Sequence, residues 1–286
     1  MPFRPRNFLR PQPFRVVPSF LYNDGDPDLG GSTGENHFRS TVDALDKQLT
    51  MAIRLKPGSG SINHNRRQHA FGWAETVTDY DSLMFGLSDN NSAENLDGHI
   101  LIANRTSGGN GNIASIDVLS WDGASPWLHL VSRRHADGSM ELWCKVGGQY
   151  LYNRQATTTS GGSGLTTLNQ SGAAFSTTEQ YNEIDAAMCD GAVWMDTHLS
   201  LEEIFQYLDG EDPINIRRWA LSYAPQRQGG DLVDRVDGTV WTESSTAPII
   251  GPNLVLANPT ILPMPWRAPA APPAGASSSL PLLGVG

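Results

Sequence analysis

The sequence lacks the features that define several common protein classes. Only two cysteines, Cys144 and Cys189, occur in 286 residues, which is too few for a disulfide framework, so we interpret both as buried free thiols. No apolar run approaches the ~20 residues that span a bilayer. The N-terminus also lacks the apolar region of a secretory signal. These absences predict a protein that is made in a cytosol and does not enter a membrane.

Charged side chains are also scarce. They make up 17% of the chain, against about 25% in ordinary globular proteins. The 30 Asp and Glu residues outnumber the 20 Lys and Arg residues, which gives a net charge of −10. A chain with this balance is not a general nucleic-acid-binding protein, and we expect no specific nucleic-acid partner.

Short alternating segments, separated by Gly, Asn and Pro, fill most of the chain. Residues 127–152 alternate, and their turns at Asp137-Gly138 and Gly147-Gly148 predict successive hairpins. Alternating strands need a second layer over their apolar face, so we predict an antiparallel β-sandwich. In the clearest strand, residues 49–55, we expect one face to point into the core: Leu49, Met51, Ile53 and Leu55.

Two short helices are predicted in the second half of the chain. Ser200, followed three residues later by Glu203, is typical of a capping box and predicts a helix over 201–208. A second helix is predicted over 212–221, because this segment begins with Asp-Pro and proline favours the first helical position.

Composition divides the chain into three predicted regions. These are an extended N-terminal arm with an Asp/Gly-rich loop over 1–35, the β-sandwich over 36–243, and a Pro-rich C-terminal arm over 244–286. Nine of the 19 prolines lie in the last region, and Arg267 is its only charged side chain. Since proline cannot donate to a sheet, we do not expect the arms to pair as central strands. The C-terminal arm must either wrap this domain or dock on another chain.

Ordered arms need apolar burial, because fixing each residue costs about 1–2 kcal/mol of backbone entropy. We predict that the apolar side chains of the two arms form a partner-binding surface. They are Phe3, Phe8, Phe14, Leu254, Leu256, Ile261, Leu262 and Trp266.

An acidic loop near the N-terminus has the spacing of a calcium-binding EF-hand loop. Leu29 stands where such a loop needs glycine, and Pro27 stiffens it, so a solvated turn is the favoured interpretation and calcium is the alternative. The four candidate calcium ligands are Asp24, Asp26, Asp28 and Glu35.

Three blocks between residues 49 and 208 follow the order seen in one known family. They are the strand LTMAIRLKP, the hairpin with Trp127-x-His129-Leu130-Val131 and Glu141-Leu142-Trp143, and the segment with Ile184-Asp185, Val193-Trp194 and Leu199-Ser200. Together they resemble the laminin G-type, concanavalin A-like jelly roll. The resemblance implies an all-β antiparallel sandwich with one or two short helices, and it implies no particular function.

Glucanases of the laminarinase type share that fold and carry their catalytic carboxylates in a Glu-x-Asp-x-x-Glu strand. Here Glu183 and Asp185 match the start of that pattern, but Met188 replaces the second catalytic Glu. A retaining glycosidase needs both carboxyl groups, so we predict that the protein is not an enzyme. The segment 182–195 is instead expected to form two short strands or one bulged strand.

A sandwich between two Pro-rich arms is similar in layout to virion proteins of tailed bacteriophages. We therefore predict a non-enzymatic structural protein of a phage particle, a capsid decoration or minor virion protein, assembled in the host cytoplasm. Its expected partners are other virion proteins, with the major capsid protein as a candidate, and further copies of the same chain. A glycoside hydrolase of the same fold ranks third.

The alternative function is a free carbohydrate-binding lectin module that recognises cell-surface glycans. Lectin sites stack an aromatic ring on the sugar and surround it with polar groups, and the eight tryptophans of the chain could supply the ring. The competing interpretation is that tryptophans in strands fill the core. The tryptophans in predicted strands are Trp73, Trp121, Trp127, Trp143 and Trp194.

Overall fold

Antiparallel strands dominate the computed structural model. It describes residues 14–22, 38–40, 48–57, 68–74, 82–88, 99–105, 112–117, 126–155, 173–175, 186–243 and 249–257. In chain order the strands of these residues are β1 Phe14–Val17, β2 Phe20–Tyr22, β3 Phe38–Ser40, β4 Leu49–Pro57, β5 Gln68–Ala74, β6 Ser82–Ser88, β7 His99–Arg105, β8 Asn112–Asp117, β9 Leu128–Arg134, β10 Met140–Val146, β11 Gln149–Gln155, β12 Ala173–Phe175, β13 Ala186–Met195, β14 Pro225–Gln228, β15 Asp231–Asp234, β16 Thr242–Glu243, β17 Ile249–Ile250 and β18 Leu254–Ala257.

The strands build two large sheets and two small ones. The first large sheet has the order β11-β10-β9-β4-β13-β2-β17, and the second has the order β16-β3-β12-β5-β6-β7-β8. Strands β1 and β18 form one two-stranded sheet, and β14 and β15 form the other. The strand pairs within these sheets are antiparallel. The prediction of an all-β antiparallel sandwich is confirmed.

The core lies between the two large sheets. Leu49, Met51, Ile53 and Leu55 are at most 1% exposed and pack there against Phe85 and other side chains of the opposite sheet. This confirms the predicted apolar stripe of β4. Burying one such side chain stabilises the fold by roughly 1.5–3 kcal/mol.

The first large sheet is covered on its other face as well. The helix α1 Leu201–Leu208 and the two 3-10 helices, Pro213–Asn215 and Arg218–Ala220, lie there. Trp194 at the end of β13 is fully buried in this second apolar cluster, and its Nε1 donates to the Ile216 carbonyl at 3.0 Å. Because of this second layer, the central strands of the first sheet are buried on both faces.

The predicted capping box of α1 is present. The Ser200 hydroxyl accepts from the Glu203 backbone N–H at 3.3 Å, and the Glu203 carboxylate accepts from the Ser200 N–H at 2.7 Å. Such a cap supplies partners for N–H groups that a helix start leaves unsatisfied. No helix among the described residues is both long enough and apolar enough to cross a membrane.

The prediction of one continuous helix over 212–221 is wrong. Asp212 does cap the start and Pro213 does occupy the first turn, but the first 3-10 helix ends at Asn215. Ile216 is extended and Arg217 is left-handed, with φ 41°, before the second 3-10 helix begins. A left-handed residue interrupts a right-handed helix, which is why two short pieces form.

Two sequence predictions about turns and strands are confirmed. Gly147 and Gly148 have φ of 55° and 85°, and two positive φ values in a two-residue hairpin turn are typical of glycine. Strand β13 is one bulged strand, because its register against β4 shifts between Cys189 and Ala192. Asp190, inside the bulge, has φ 58°.

Candidate functional site

The two ends of the described chain pair with each other. Strands β1 and β18 form a sheet that we call the terminal ribbon, residues 14–17 and 254–257, in which Phe14 lies opposite Ala257. Side chains directly opposite in an antiparallel pair share one face. Phe14, Val16 and Val255 lie on the outward face and are 47%, 47% and 61% exposed.

The inward face of the terminal ribbon packs on the sandwich. Val17, Leu254 and Leu256 are at most 7% exposed and contact Cys189 of the β13 bulge. Leu256 also lies against Gly210, which follows α1, because a Cβ built on that glycine would be 3.5 Å from Leu256 Cβ. The ribbon therefore covers the C-terminal end of the helix.

A charge network fixes this ribbon; it has the buried Asp190 and Arg54 at its centre and the partly exposed Arg15, Asp212 and Arg235 around them. Asp190 is fully buried and forms ion pairs with both Arg15 and Arg54. Arg15 Nη1 also lies 2.9 Å from Asp212 Oδ2. Arg235 binds Asp212 with two nitrogens, at 2.9 and 2.8 Å. Buried charges require such pairing, so the network links β1 to the bulge of β13.

Arg54 ties the same network to the helix. Its Nη2 donates to the carbonyls of Tyr207 at 2.7 Å and Glu211 at 2.9 Å, and its guanidinium lies 4.2 Å from the centre of the Tyr207 ring. Complete burial lowers the pKa of Arg54 from 12.5 to about 10. The Tyr207 hydroxyl donates to the Asp190 carbonyl at 2.8 Å. The helix end, the bulge and the terminal ribbon thus share one polar network.

The structure places some of the predicted arm residues and not others. Leu254 and Leu256 are buried within this chain, and Phe14 is half-exposed at the end of the ribbon. For residues 249–257, the arm wraps this domain. The predicted partner contacts Phe3, Phe8, Ile261, Leu262 and Trp266, and the calcium ligands Asp24, Asp26, Asp28 and Glu35, lie outside the described residues.

A second candidate site lies at the other end of the helix. Residues 195–198, from the end of β13 onward, together with Arg217 and residues 219–222, line an open groove of about 730 Å³, which we call the Trp219 groove. Trp219 is 84% exposed, the most exposed large hydrophobic side chain among the described residues. The prediction that tryptophans in strands are buried is confirmed for Trp143 and Trp194, but Trp127 lies before β9 and is only partly buried. Trp219 lies in the segment that was predicted to be a helix.

Arg217 holds the segment that carries Trp219. Its Nε and Nη2 donate to the two carboxylate oxygens of Glu203 at 2.8 and 2.6 Å, and its Nη1 donates to the His198 carbonyl at 3.0 Å. Burial alone would raise the pKa of Glu203, but the Ser200 N–H and Arg217 outweigh it and lower that pKa. The carboxylate is therefore ionised and holds Arg217 in its left-handed conformation.

Two backbone outliers lie in the wall of the groove. Among the described non-glycine residues, positive φ occurs at Asp190, Asp196 and Arg217, and the last two line the Trp219 groove. The Asp196 carboxylate accepts from the Gln48 side-chain amide at 2.9 Å. Unusual backbone conformations of non-glycine residues cluster at binding sites, because the surrounding structure must hold them.

Glu141, on the outer face of β10, forms a further cluster of polar side chains, and the His135 ring of this cluster lies 4.6 Å from the ring of His198, which lines the Trp219 groove. The Glu141 carboxylate accepts from the Tyr152 hydroxyl at 2.9 Å and lies 2.9 Å from His135 Nε2. Burial would raise the pKa of Glu141, but these two hydrogen bonds outweigh it and lower the pKa. An ionised carboxylate with these partners is a hydrogen-bond acceptor and does not suit the role of a general acid.

The glucanase comparison can be tested at one position. Met188 is fully buried in the core between the sheets, so the side chain at this position of β13 does not reach a surface. Glu183 and Asp185 lie outside the described residues.

Within the described part of the chain, no cluster of three His, Cys, Asp or Glu residues is arranged to hold a metal ion. Cys144 and Cys189 are free and buried, as predicted, and burial raises the pKa of each thiol to about 12.

Comparisons with known proteins add fold neighbours only. No family model matches the sequence, and the curated proteins contain no match. A heptameric SAP-like pentraxin from Limulus polyphemus is similar in structure, with 16% identity, 85% of this chain and 95% of the pentraxin covered, and a TM-score of 0.49. The receptor-binding domain of botulinum neurotoxin mosaic serotype C/D is 10% identical in sequence. The match covers 84% of this chain and 69% of that domain, with a TM-score of 0.41. The exoplasmic/lumenal domain of VIP36, in its Ca²⁺/Man3GlcNAc-bound form, is 9% identical in sequence. The match covers 67% of this chain and 87% of that domain, with a TM-score of 0.34. At these identities and TM-scores, the likenesses do not identify a ligand or partner of this chain.

Proposed function

We propose that this protein is a non-enzymatic, lectin-like module of a phage particle, held in place by its terminal segments. The observation that carries the proposal is the pairing of Phe14 with Ala257 in the terminal ribbon. Because these two residues lie side by side, the chain reaches residues 14 and 257 at one place on the sandwich. The Pro-rich sequences 1–13 and 258–286 are joined to these two residues, which suits an attachment to a larger assembly at this place.

The outward face of the terminal ribbon supports the same role. Phe14, Val16 and Val255 expose apolar surface on the terminal ribbon. Their strand is tied to the sandwich through the ion pairs of Arg15 with Asp190 and Asp212. Exposed apolar side chains that lie together suit a surface that contacts another protein.

Attachment at the terminal ribbon would leave the Trp219 groove open. The ribbon packs on Gly210, after the C-terminal end of α1. The groove is lined by His198, just before the N-terminal end of the same helix. A module attached in this way displays the groove away from its attachment point.

The absence of catalysis is supported by Met188, which fills a core position where a second carboxylate would be needed. A free carbohydrate-binding module is the second candidate, and the observation that favours it is the exposed Trp219.

The test is incorporation into particles. A variant that ends after residue 257 keeps β18, and we expect it to fold but not to join particles, as measured by quantitative mass spectrometry of purified virions. The double variant Val16→Asp, Val255→Asp should also reduce incorporation, because it places two charges on the outward face. Trp219→Ala is the control and should incorporate normally. Normal incorporation of the truncated chain would disprove the anchoring role and favour the free module.

A further inference from the structure

Trp219 is the most exposed tryptophan among the described side chains. Trp194 and Trp241 are at most 1% exposed, whereas Trp219 is 84% exposed on the second 3-10 helix. Leaving an indole in water forfeits the stabilisation that its burial would give. The indole also lies 5.9 Å from the Arg217 guanidinium, which is itself held by Glu203.

The walls of the groove carry the polar groups that hydroxyl-rich ligands require. Asp196 brings a carboxylate that accepts hydrogen bonds, and Thr197 and Ser222 bring hydroxyls. The Ser222 hydroxyl oxygen accepts from the Met195 backbone N–H at 3.2 Å, which fixes its position and leaves its own proton to donate. A flat aromatic surface beside fixed donors and acceptors is the arrangement by which proteins bind sugars.

The charges of the groove select among sugars. The positive charge of Arg217 is matched by the carboxylate of Glu203. The partner of the Asp196 carboxylate is the neutral amide of Gln48, so the wall keeps a negative charge. The chain as a whole has a net charge of −10. Both facts disfavour sugars that carry carboxylates or sulfates.

We infer that the Trp219 groove binds neutral oligosaccharides, with a pyranose ring stacked on the indole of Trp219. The groove volume of about 730 Å³ falls within the range of sites that hold small ligands. Arg217 acts as a positioning residue, because it orients the tryptophan through Glu203 and His198 and does not itself need to touch the sugar. The inference rests on the proposed function, in which the module displays this groove, and it names the class of ligand that the groove would bind.

The experiment uses the purified full-length chain on a glycan array. The array carries neutral hexose and N-acetylhexosamine oligosaccharides beside sialylated and uronic acid-containing ones, and the best binder is then titrated by calorimetry. We expect binding to neutral glycans. Trp219→Ala should weaken the affinity at least about tenfold, the loss expected when a central aromatic anchor is removed. Trp219→Phe should retain part of the affinity, because it keeps a ring for stacking.

The matched control is Tyr150→Ala, which removes another exposed aromatic ring, 47% exposed, whose hydroxyl donates to Asp209 after the C-terminal end of α1. It should leave glycan binding unchanged. The inference is overturned if no neutral glycan binds, if acidic glycans bind in preference, or if Trp219→Ala binds as the wild type does. Binding of a protein partner through Trp219, with no glycan retained, would overturn it too. Because the assay needs no particles, its failure is separate from a failure of the anchoring role.

Discussion

The two ends of helix α1 meet the rest of the molecule in different ways. At the C-terminal end, Asp190 pairs with Arg54 of β4, and both side chains are fully buried; Asp190 also pairs with Arg15 of the terminal ribbon. At the N-terminal end, the groove is held by Arg217 and Glu203, whose side chains are 25% and 20% exposed. The same type of ion pair is therefore used in two environments. A buried pair becomes very costly when one partner is lost, whereas a partly exposed pair is compensated by water.

The largest expected effect is at Asp190. Asp190→Asn removes the charge but keeps a residue that tolerates φ 58°. It leaves Arg54 and Arg15 without their shared carboxylate, and we expect a loss of about 3–5 kcal/mol in the free energy of unfolding. Urea denaturation measures it. The control, Asp209→Asn, removes a carboxylate that is 43% exposed and pairs with Lys145, and it should cost less than about 1 kcal/mol. Equal losses in the two variants would remove the contrast between the two environments.

A smaller effect is expected from the apolar face of the ribbon. Leu254→Ala empties a site that is 3% exposed, and we expect a loss of about 2–3 kcal/mol together with faster proteolysis near residue 257. The adjacent Val255→Ala changes the outward face, 61% exposed, and should stay within about 0.5 kcal/mol of the wild type. If the two variants are cleaved at the same rate, the ribbon is not packed through Leu254.

His129, which bonds to the C-terminal end of α1, should make the stability of the protein depend on pH. His129 Nδ1 donates to the Leu208 carbonyl at 2.7 Å, and burial, followed by the charge of Arg54, lowers the pKa of His129 from 6.5 to about 3. Between pH 6.5 and about pH 3, His129 carries a proton in the unfolded chain but not in the folded chain. The contribution of this histidine to stability is therefore complete above pH 6.5 and is lost as the pH falls towards 3, by up to about 1.4 kcal/mol per pH unit.

His129→Asn tests this pH dependence, because it keeps a donor N–H but cannot titrate. Urea denaturation of both proteins between pH 4 and 7.5 gives the slope of stability against pH. The wild type should show the steeper loss towards acid in that interval. Parallel slopes would show that His129 takes up its proton in the folded state as readily as in the unfolded chain.

The smallest stability effect is expected at the groove. Trp219→Ala should change the free energy of unfolding by less than about 0.5 kcal/mol, because the side chain is 84% exposed. Trp194→Ala, at a fully buried tryptophan, should cost about 3–5 kcal/mol. A large loss in Trp219→Ala would mean that this residue is part of the packing and not of a binding site.

The sequence predicted those parts of the fold that depend on local patterns. The apolar stripe of β4, the Gly147-Gly148 turn and the capping box of Ser200 each follow from a few neighbouring residues, and all three are confirmed. It did not predict that Thr50 and Arg54, on the opposite face of β4, are also fully buried. Thr50 bonds to Thr197 and Leu199, and Arg54 bonds to the Tyr207 and Glu211 carbonyls, and these partners lie about 150 residues away in sequence.

The two predicted arms show how a proline pattern can mislead. Proline-rich segments were not expected to form central strands, yet β2 lies between β13 and β17. The prolines stand between the strands and not within them: β1 starts after Pro13, β17 starts after Pro248 and β18 starts two residues after Pro252. Short strands between prolines keep the donors that pairing needs.

The Trp219 groove had no local signal at all. Its geometry depends on Arg217, whose left-handed backbone breaks the predicted helix and is held by Glu203 and by the His198 carbonyl. These partners lie 14 and 19 residues away in sequence. No pattern of spacing or composition around Trp219 indicates that they meet.

The pairing of Phe14 with Ala257 has a practical consequence for building with this domain. Paired residues of an antiparallel ladder have Cα atoms about 4.5–5.5 Å apart, a gap that one or two residues can bridge. A fragment over 14–257 therefore has both ends in one spot, which is the geometry a guest domain needs for insertion into a surface loop of a host protein. Such a chimera would project the sandwich from its host on two adjacent strands. Residues 14 and 257 could equally be joined to each other and the chain opened at another loop, which gives a circular permutant.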